Sequence, residues 1–546
     1  MPKLSRSLFT GSPWPAVGLW ALLVALVSGF PLGKALIDAV GGVTSDGVGE
    51  LLAPQWSLLG MSVVWAVLIG CLSVVFGWWG AWASRGWRAW WTPLLVVPIL
   101  MPSSLASSGF GLLRAPGTAI GDWLAMGPSW RPIFVGRAIA IIGLALWTSP
   151  IAQLVLSARV RSIDPASLEA ARLVGGGPVA WVRLRLGMSL RHMLLAAGAV
   201  TILMLGSAVP LHLAQMETYA TRVWLELDAT SAGDRWRVLV TAWPMFLIAA
   251  CVSVVVVRHF RKRPGWMRGQ GGEESHARRV PVVLALAVPV LAVLVPAVLF
   301  AVDLESLSTI STVWRTESGS AGLAWLVAAG LAVSSVVMAS CVWIGLGGGV
   351  AARRVTLAGV ALMLMTALVP GVVTGVLVGS AWRGVGAVSD SWVIVLLAHL
   401  ARFGALPALV GVLLAWSEAE EDRDLRLMTG ATGVVGWAKT VGLRSWPALT
   451  LAGAASAALS IHEIESAVVV SPPGMASLAR SMLNLLHFQR YEHLSGLSLI
   501  VIAFGTLLVL ASAALWWLWI RTSTGGGANR TMSRKNGTQS GGGRSD

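Results

Sequence analysis

Charged residues are scarce in this chain. Asp, Glu, Lys and Arg make up 12% of its 546 residues, about half the ~25% of an ordinary soluble domain. That deficit excludes a soluble enzyme of this length. It equally excludes a disordered chain, which combines high charge with few apolar groups. Cysteine is almost lacking: Cys71, Cys251 and Cys341 are the three, each inside an apolar run. No disulfide scaffold and no Cys-based metal site is readable from them, and each reads as a small apolar core residue. A phosphate-binding loop is missing too. The Gly33-Lys34 pair is followed by Ala35 within an apolar run, and no polar stretch has room for a nucleotide-binding domain. What is abundant is hydrocarbon: 56% hydrophobic residues and a mean hydropathy of +0.75. It comes in runs of roughly 20 residues or more, the length that crosses about 30 Å of bilayer core. The composition predicts an all-α polytopic membrane protein.

Twelve spanning helices are expected. Six lie near 16–38, 56–83, 90–112, 132–157, 192–214 and 236–258, and six near 281–302, 322–348, 356–379, 391–416, 447–470 and 494–521. The first follows Lys3 and Arg6 as a signal peptide would, but its length and the spans after it favour an uncleaved anchor. Loop charge orients the set. With the N-terminus in the cytoplasm, about 28 of the 40 basic residues fall on that side, as the positive-inside rule requires. The formal charge of +15 is therefore read as topology and not as a nucleic-acid surface. Both tyrosines, Tyr219 and Tyr491, fall in outside loops, and the tryptophans crowd helix ends, where interfacial anchoring explains them. Both termini are expected in the cytoplasm of a cell with an inner membrane.

The chain divides into two halves of six helices, 1–260 and 281–521. They are joined by a basic linker, 261–280, and followed by a Gly-, Ser- and Arg-rich tail, 522–546, expected to be disordered. Six is even, so both halves enter the membrane in the same sense, as parallel repeats do. The longest cytoplasmic loop of each half, 158–191 and 417–446, lies between its fourth and fifth helices. In the first, Asp164 and Pro165 open a helix, Leu168 to Val174 continue it and Gly175 stops it. After Pro178 a second basic stretch, Val179 to Arg191, leads towards the next span. Two short helices meeting at a glycine corner are stiff enough to transmit a push.

The Glu169-Ala170-Ala171 triplet, with Gly175 four residues on, resembles the EAA loop of binding-protein-dependent ABC importer permeases. Its continuation departs from that pattern: Gly187-Met188 stands where a Leu-Pro pair is usual. Asp424 and Gly430 occupy the equivalent place in the second half, without the two alanines and 255 residues after the first glycine. Outside segments resemble the ferric-iron transport permeases, often fused from two halves: Ala208-Val209-Pro210 with Thr218-Tyr219-Ala220-Thr221, and Ser471-Pro472-Pro473-Gly474 with Tyr491-Glu492. The resemblance implies two six-helix permease repeats of the type I importer kind, moving a small solute, ferric iron favoured. It implies two copies of a cytoplasmic ABC ATPase, one engaging Glu169, Ala170, Ala171 and Gly175 and the other Asp424 and Gly430. A solute-binding protein would dock outside, near 215–235 and 471–493. ATP and magnesium would sit on the ATPase, leaving this chain with no cofactor and no catalytic residue. Its other partner is membrane lipid.

Ionisable groups at membrane depth face a cavity or a partner. Glu463 and Glu465 lie within the expected eleventh helix, and Arg402 with His399 in the tenth, so a pathway or gating role competes with pairing between helices. The run His462-Glu463-Ile464-Glu465-Ser466 begins like a zinc-protease motif, but Ser466 stands where the second histidine belongs. His212, Glu217, His487, Glu492 and His493 read as boundary residues and not as iron ligands. An ion-gradient-driven twelve-helix secondary transporter is the alternative reading, and it does not call for matched glycine-cornered loops.

Overall fold

A computed structural model describes residues 11–43, 55–84, 95, 97–161, 163, 173, 177–231, 234–260, 281–418, 420–461, 463–475, 477–488 and 490–537. Every regular element among them is helical. In chain order the principal helices of the first half are α1 (Trp14–Gly42), which widens into a π-turn at Ala25–Gly29, α2 (Trp56–Ala83), α3 (Ser103–Gly111), α4 (Trp130–Arg161), α5 (Pro178–Leu205), α6 (Val209–Leu213), α7 (Tyr219–Ala229) and α8 (Trp243–Phe260). The second half contributes α9 (Pro281–Asp303), α10 (Ser308–Gly347), α11 (Val350–Leu368), α12 (Gly371–Trp382), α13 (Trp392–Phe403), α14 (Ala405–Ser417), α15 (Glu420–Met428), α16 (Leu443–Ile461), α17 (Glu465–Val470), α18 (Leu478–His487) and α19 (Tyr491–Gly537).

Among the described residues eight helices are long and apolar enough to cross a membrane, and the pair α13–α14, bent by 49° at Gly404, makes nine if it is one span. Large apolar side chains on these spans stand exposed, among them Val75 and Trp79 on α2 and Leu194 on α5. That arrangement suits hydrocarbon and not water. The chain is a multi-pass, all-α membrane protein.

The third, sixth and eleventh expected spans are interrupted or short, and the ninth and fifth have other ends than expected. The sixth and eleventh appear as the shorter apolar helices Trp243–His259 and Ser445–Ile461. Of the third, only Ser103–Gly111 and short 3₁₀ turns fall among the described residues. The ninth is cut at Val369 and Pro370, because proline supplies no N–H to continue a helix and disfavours helical backbone before it. The fifth begins earlier than expected. The stretch after Pro178 is not a separate helix but the first turns of α5, with proline at the helix start where its missing N–H costs nothing. The helix Tyr491–Gly537 also runs into the tail expected to be disordered.

The packing around α2 and around α10 is alike. In the first half, α2 is flanked by α4 and α5; in the second, α10 is flanked by α14 and α16. Both seams rely on absent side chains. A Cβ on Gly70 of α2 would lie 2.7 Å from the Ala197 carbonyl of α5, and one on Gly453 of α16 would lie 2.9 Å from the Ala332 carbonyl of α10. Small residues let helices approach where lipid provides no hydrophobic drive. The first helix of each half packs on the other half: α1 against α10 and α11, and α9 against α2, α3 and α4. The Trp20 indole of α1 donates to the Thr356 carbonyl of α11 at 3.2 Å, and Ser28 Oγ lies 2.9 Å from Thr366 Oγ1.

Candidate functional site

Three helix interruptions meet in the interior. α5 ends at Leu205 and α6 starts at Val209, α11 ends at Leu368 and α12 starts at Gly371, and α16 ends at Ile461 before α17 starts at Glu465. Each restart exposes backbone N–H groups that a continuous helix would have bonded. The Glu465 carboxylate, only 7% exposed, takes three of them. Its Oε1 accepts from Ala208 N at 2.7 Å and Val209 N at 3.2 Å, and its Oε2 accepts from Gly371 N at 3.1 Å. One side chain from the second half thus closes one gap in that half and one in the first. Charge-assisted bonds of this kind are the way a carboxylate is accommodated away from water.

Arg402 sits beside this junction without a direct ion pair to either glutamate among the described residues. Its Nη1 donates to the Ala367 carbonyl at 3.2 Å and to the Val369 carbonyl, two acceptors freed where α11 stops. The expected pairing of Arg402 with the carboxylates is therefore replaced by a division of labour: the guanidinium holds carbonyls, and the carboxylate holds amides. Glu463 lies in the break itself and not within a helix, and its Oε1 accepts from Ser466 N at 2.9 Å, capping α17. His399 Nδ1 lies 2.7 Å from Ser460 Oγ, while its buried Nε2 has no hydrogen-bond partner among the described residues. His462 lies outside the described residues. No three His, Cys, Asp or Glu side chains among those described come together as a metal would require.

The second structure of interest is α15, in the loop 417–446. Asp424 is exposed on it, as are Leu425 at 61% and Met428 at 87%. Gly430 stops it in the left-handed region, φ +70°, with Ala431 N donating to the Arg426 carbonyl at 2.9 Å and Gly430 N to the Leu427 carbonyl at 3.3 Å. This is a Schellman stop, which glycine favours because it has no Cβ to clash. The helix is bolted to the bundle by a buried ion pair. Arg426 Nε and Nη2 reach Glu418 Oε1 and Oε2 at 2.7 and 2.6 Å, and the Trp343 indole of α10 donates to Glu418 Oε2 at 3.3 Å. The N-terminal segment docks here as well. Thr432 Oγ1 donates to the Gly11 carbonyl at 3.0 Å, and a Cβ on Gly433 would lie 2.5 Å from Gly11 Cα.

Glu169, Ala170, Ala171 and Gly175 lie outside the described residues, so the first loop is known here only by its edges. There Leu173 is exposed, and the Arg185 guanidinium stacks over Trp82 and Trp181 at 4.7 and 4.8 Å. Of the outside segments, Thr218 and Tyr219 are held firmly. Thr218 caps α7, Tyr219 N donates to Ser62 Oγ at 2.7 Å, and the phenol donates to the Thr241 carbonyl at 2.8 Å. Burial pushes that phenol's pKa up. Glu226 is held between Arg222 and Arg237.

No known protein family, no curated protein and no solved structure matches this chain. The fold defines its class, a helical multi-pass membrane protein with interrupted helices joined at a buried carboxylate.

Proposed function

We propose that this chain is the transmembrane permease of an ATP-driven importer of the ABC type. It carries both permease halves and draws its energy from a separate cytoplasmic ATPase bound in two copies. The observation that carries the proposal is α15: a short helix with an exposed apolar edge, stopped by Gly430 and fastened to α10 through Glu418 and Arg426. An exposed Leu425 and Met428 outside the spans suit a partner's groove, and a rigid fastening lets a push on α15 reach a spanning helix. The matched flanking of α2 and α10, and the reciprocal packing of α1 and α9, support two related halves.

On this reading the pathway runs between the halves, and the Glu465 junction is its latch. Closing of the ATPases drives α15 and the Glu169–Gly175 loop inward. The halves then part where Glu465 crosses from one to the other, and the amides of Ala208 and Val209 lose their acceptor until the latch resets. Arg402 and Glu463 keep the broken ends of α11 and α17 in shape meanwhile. The cargo is a small solute delivered by an extracytoplasmic binding protein at an inner membrane, with both termini cytoplasmic. Ferric iron is favoured on the resemblance of the outside segments.

The test is co-purification from the native host. Wild-type chain is compared with Glu169→Lys and with Leu425→Glu/Met428→Glu. An ATPase that accompanies wild type and is depleted at least several-fold in both variants is the expected result. Absence of any ATPase from an intact wild-type preparation would overturn the proposal in favour of gradient-driven transport.

A further inference from the structure

The helix α10 is chemically two helices. Its first fifteen residues, Ser308–Gly322, are dominated by Ser, Thr, Arg and Glu, whereas Leu323–Gly347 contains no charged residue. The neighbouring α19 changes in the same place, from Tyr491-Glu492-His493 and Ser495 to a continuous apolar run after Ser498. Thr309 donates to Glu492 and Ser495 donates to Asp303 at 2.7 Å, which sets the polar ends level. The change of character marks the depth at which lipid headgroups give way to chains.

At that depth the two helices leave a narrow crevice of about 40 Å³. It is almost wholly apolar, with Ile500, Phe504 and Leu508 of α19 along one wall, and it joins a groove towards Leu507. Two features are not those of a simple packing defect. Three aromatic rings gather at it: Trp314 stacks on Phe504 with centroids 6.0 Å apart, and Trp325 meets the same ring edge-on at 5.8 Å. Beside them, one turn from Trp314 on the same helical face, a carboxylate lines the crevice, that of Glu317. Its Oε2 accepts from Ser320 Oγ at 3.0 Å, and it forms no ion pair among the described residues. The nearest basic residue in sequence, Arg315, sits two positions away on a different face and is exposed. Arg480, on the adjoining α18, is spent on the Ser471 carbonyl at 3.5 Å.

A carboxylate set among aromatic faces in an apolar crevice is complementary to one kind of group, a cation with a greasy surround. Ring quadrupoles attract an ammonium, and the carboxylate supplies the counter-charge. We infer that this crevice binds a phospholipid with an amine headgroup, its ammonium against Glu317 and the rings of Trp314, Trp325 and Phe504, and an acyl chain along Ile500, Phe504 and Leu508. An anionic headgroup meets the Glu317 charge and has nothing to give the rings. The inference does not depend on the transport proposal, since a chain that moved no cargo would present the same crevice.

Native mass spectrometry tests it on the full chain. The protein is released from nanodiscs containing equal phosphatidylethanolamine and phosphatidylglycerol with identical acyl chains. Wild type is expected to retain the ethanolamine lipid over the glycerol lipid by on the order of tenfold. Glu317→Gln, nearly identical in shape, and Trp314→Leu should each bring the ratio close to one. Glu305→Gln, which removes an exposed charge from the same end of the molecule, should leave it unchanged. Equal retention by wild type overturns the inference. So does a preference that survives both Glu317→Gln and Trp314→Leu, or one that Glu305→Gln removes equally.

Discussion

Replacing Glu465 with alanine would leave the amides of Ala208, Val209 and Gly371 without acceptors in a place from which water is excluded. An unmade buried hydrogen bond costs about 1–3 kcal/mol, so Glu465→Ala should destabilise the protein by roughly 3 kcal/mol or more. Glu465→Gln keeps one carbonyl oxygen and should lose less than half of that. Thermal unfolding in a single detergent measures both, and an alanine variant that melts with wild type would refute the latch. Arg426 poses the complementary problem. Removing it leaves the buried Glu418 charge without its cation, and breaking a buried pair from one side costs about 3–5 kcal/mol, whereas replacing both partners by apolar residues is often near neutral. Arg426→Met should therefore be far more damaging than Glu418→Leu/Arg426→Met, measured in the same way. Neither contact could be read from the sequence. Glu465 and Ala208 are 257 positions apart, and Glu418 precedes the helix that carries Arg426, so no helical spacing joins them.

Among the elements, the apolar runs were legible because their length alone decides whether they can span. The interruptions were not, although their causes are visible afterwards: Val369-Pro370-Gly371 in one case and Gly206-Ser207-Ala208 in another. In a chain with 61 glycines and 25 prolines, such signals occur in many places where the helix continues, as at Pro150 in α4. The glycine corner of the second loop was legible, since a glycine closing an acid-led polar stretch is a local helix-stop signal. Gly430→Ala should cost about 1 kcal/mol or slightly more, the penalty of a left-handed residue bearing a Cβ. Hydrogen exchange should show it locally: faster exchange through Leu425–Ala431, with α10 unaltered. Uniform loosening of both would mean that the stop and the bundle are one cooperative unit.

For the whole molecule, the exchange of first helices has a direct consequence. Residues 1–260 and 261–546 produced as separate chains should each be poorly stable alone, because α1 packs on α10 and α11 of the other half, and α9, besides α19 of its own half, packs on α2, α3 and α4. Produced together, they should co-purify as one complex. A monodisperse, stable first half on its own would contradict the arrangement. A last property follows from α10. At 40 residues it is about 60 Å long, twice the thickness of a bilayer's hydrocarbon core. One end carries the Trp343 anchor of α15, and the other carries Thr309 and the Glu317 crevice. A continuous helix held at both ends behaves as a gauge. In a thinner or thicker bilayer it must tilt and cannot shorten, so membrane thickness becomes an input to the angle at which α15 is presented.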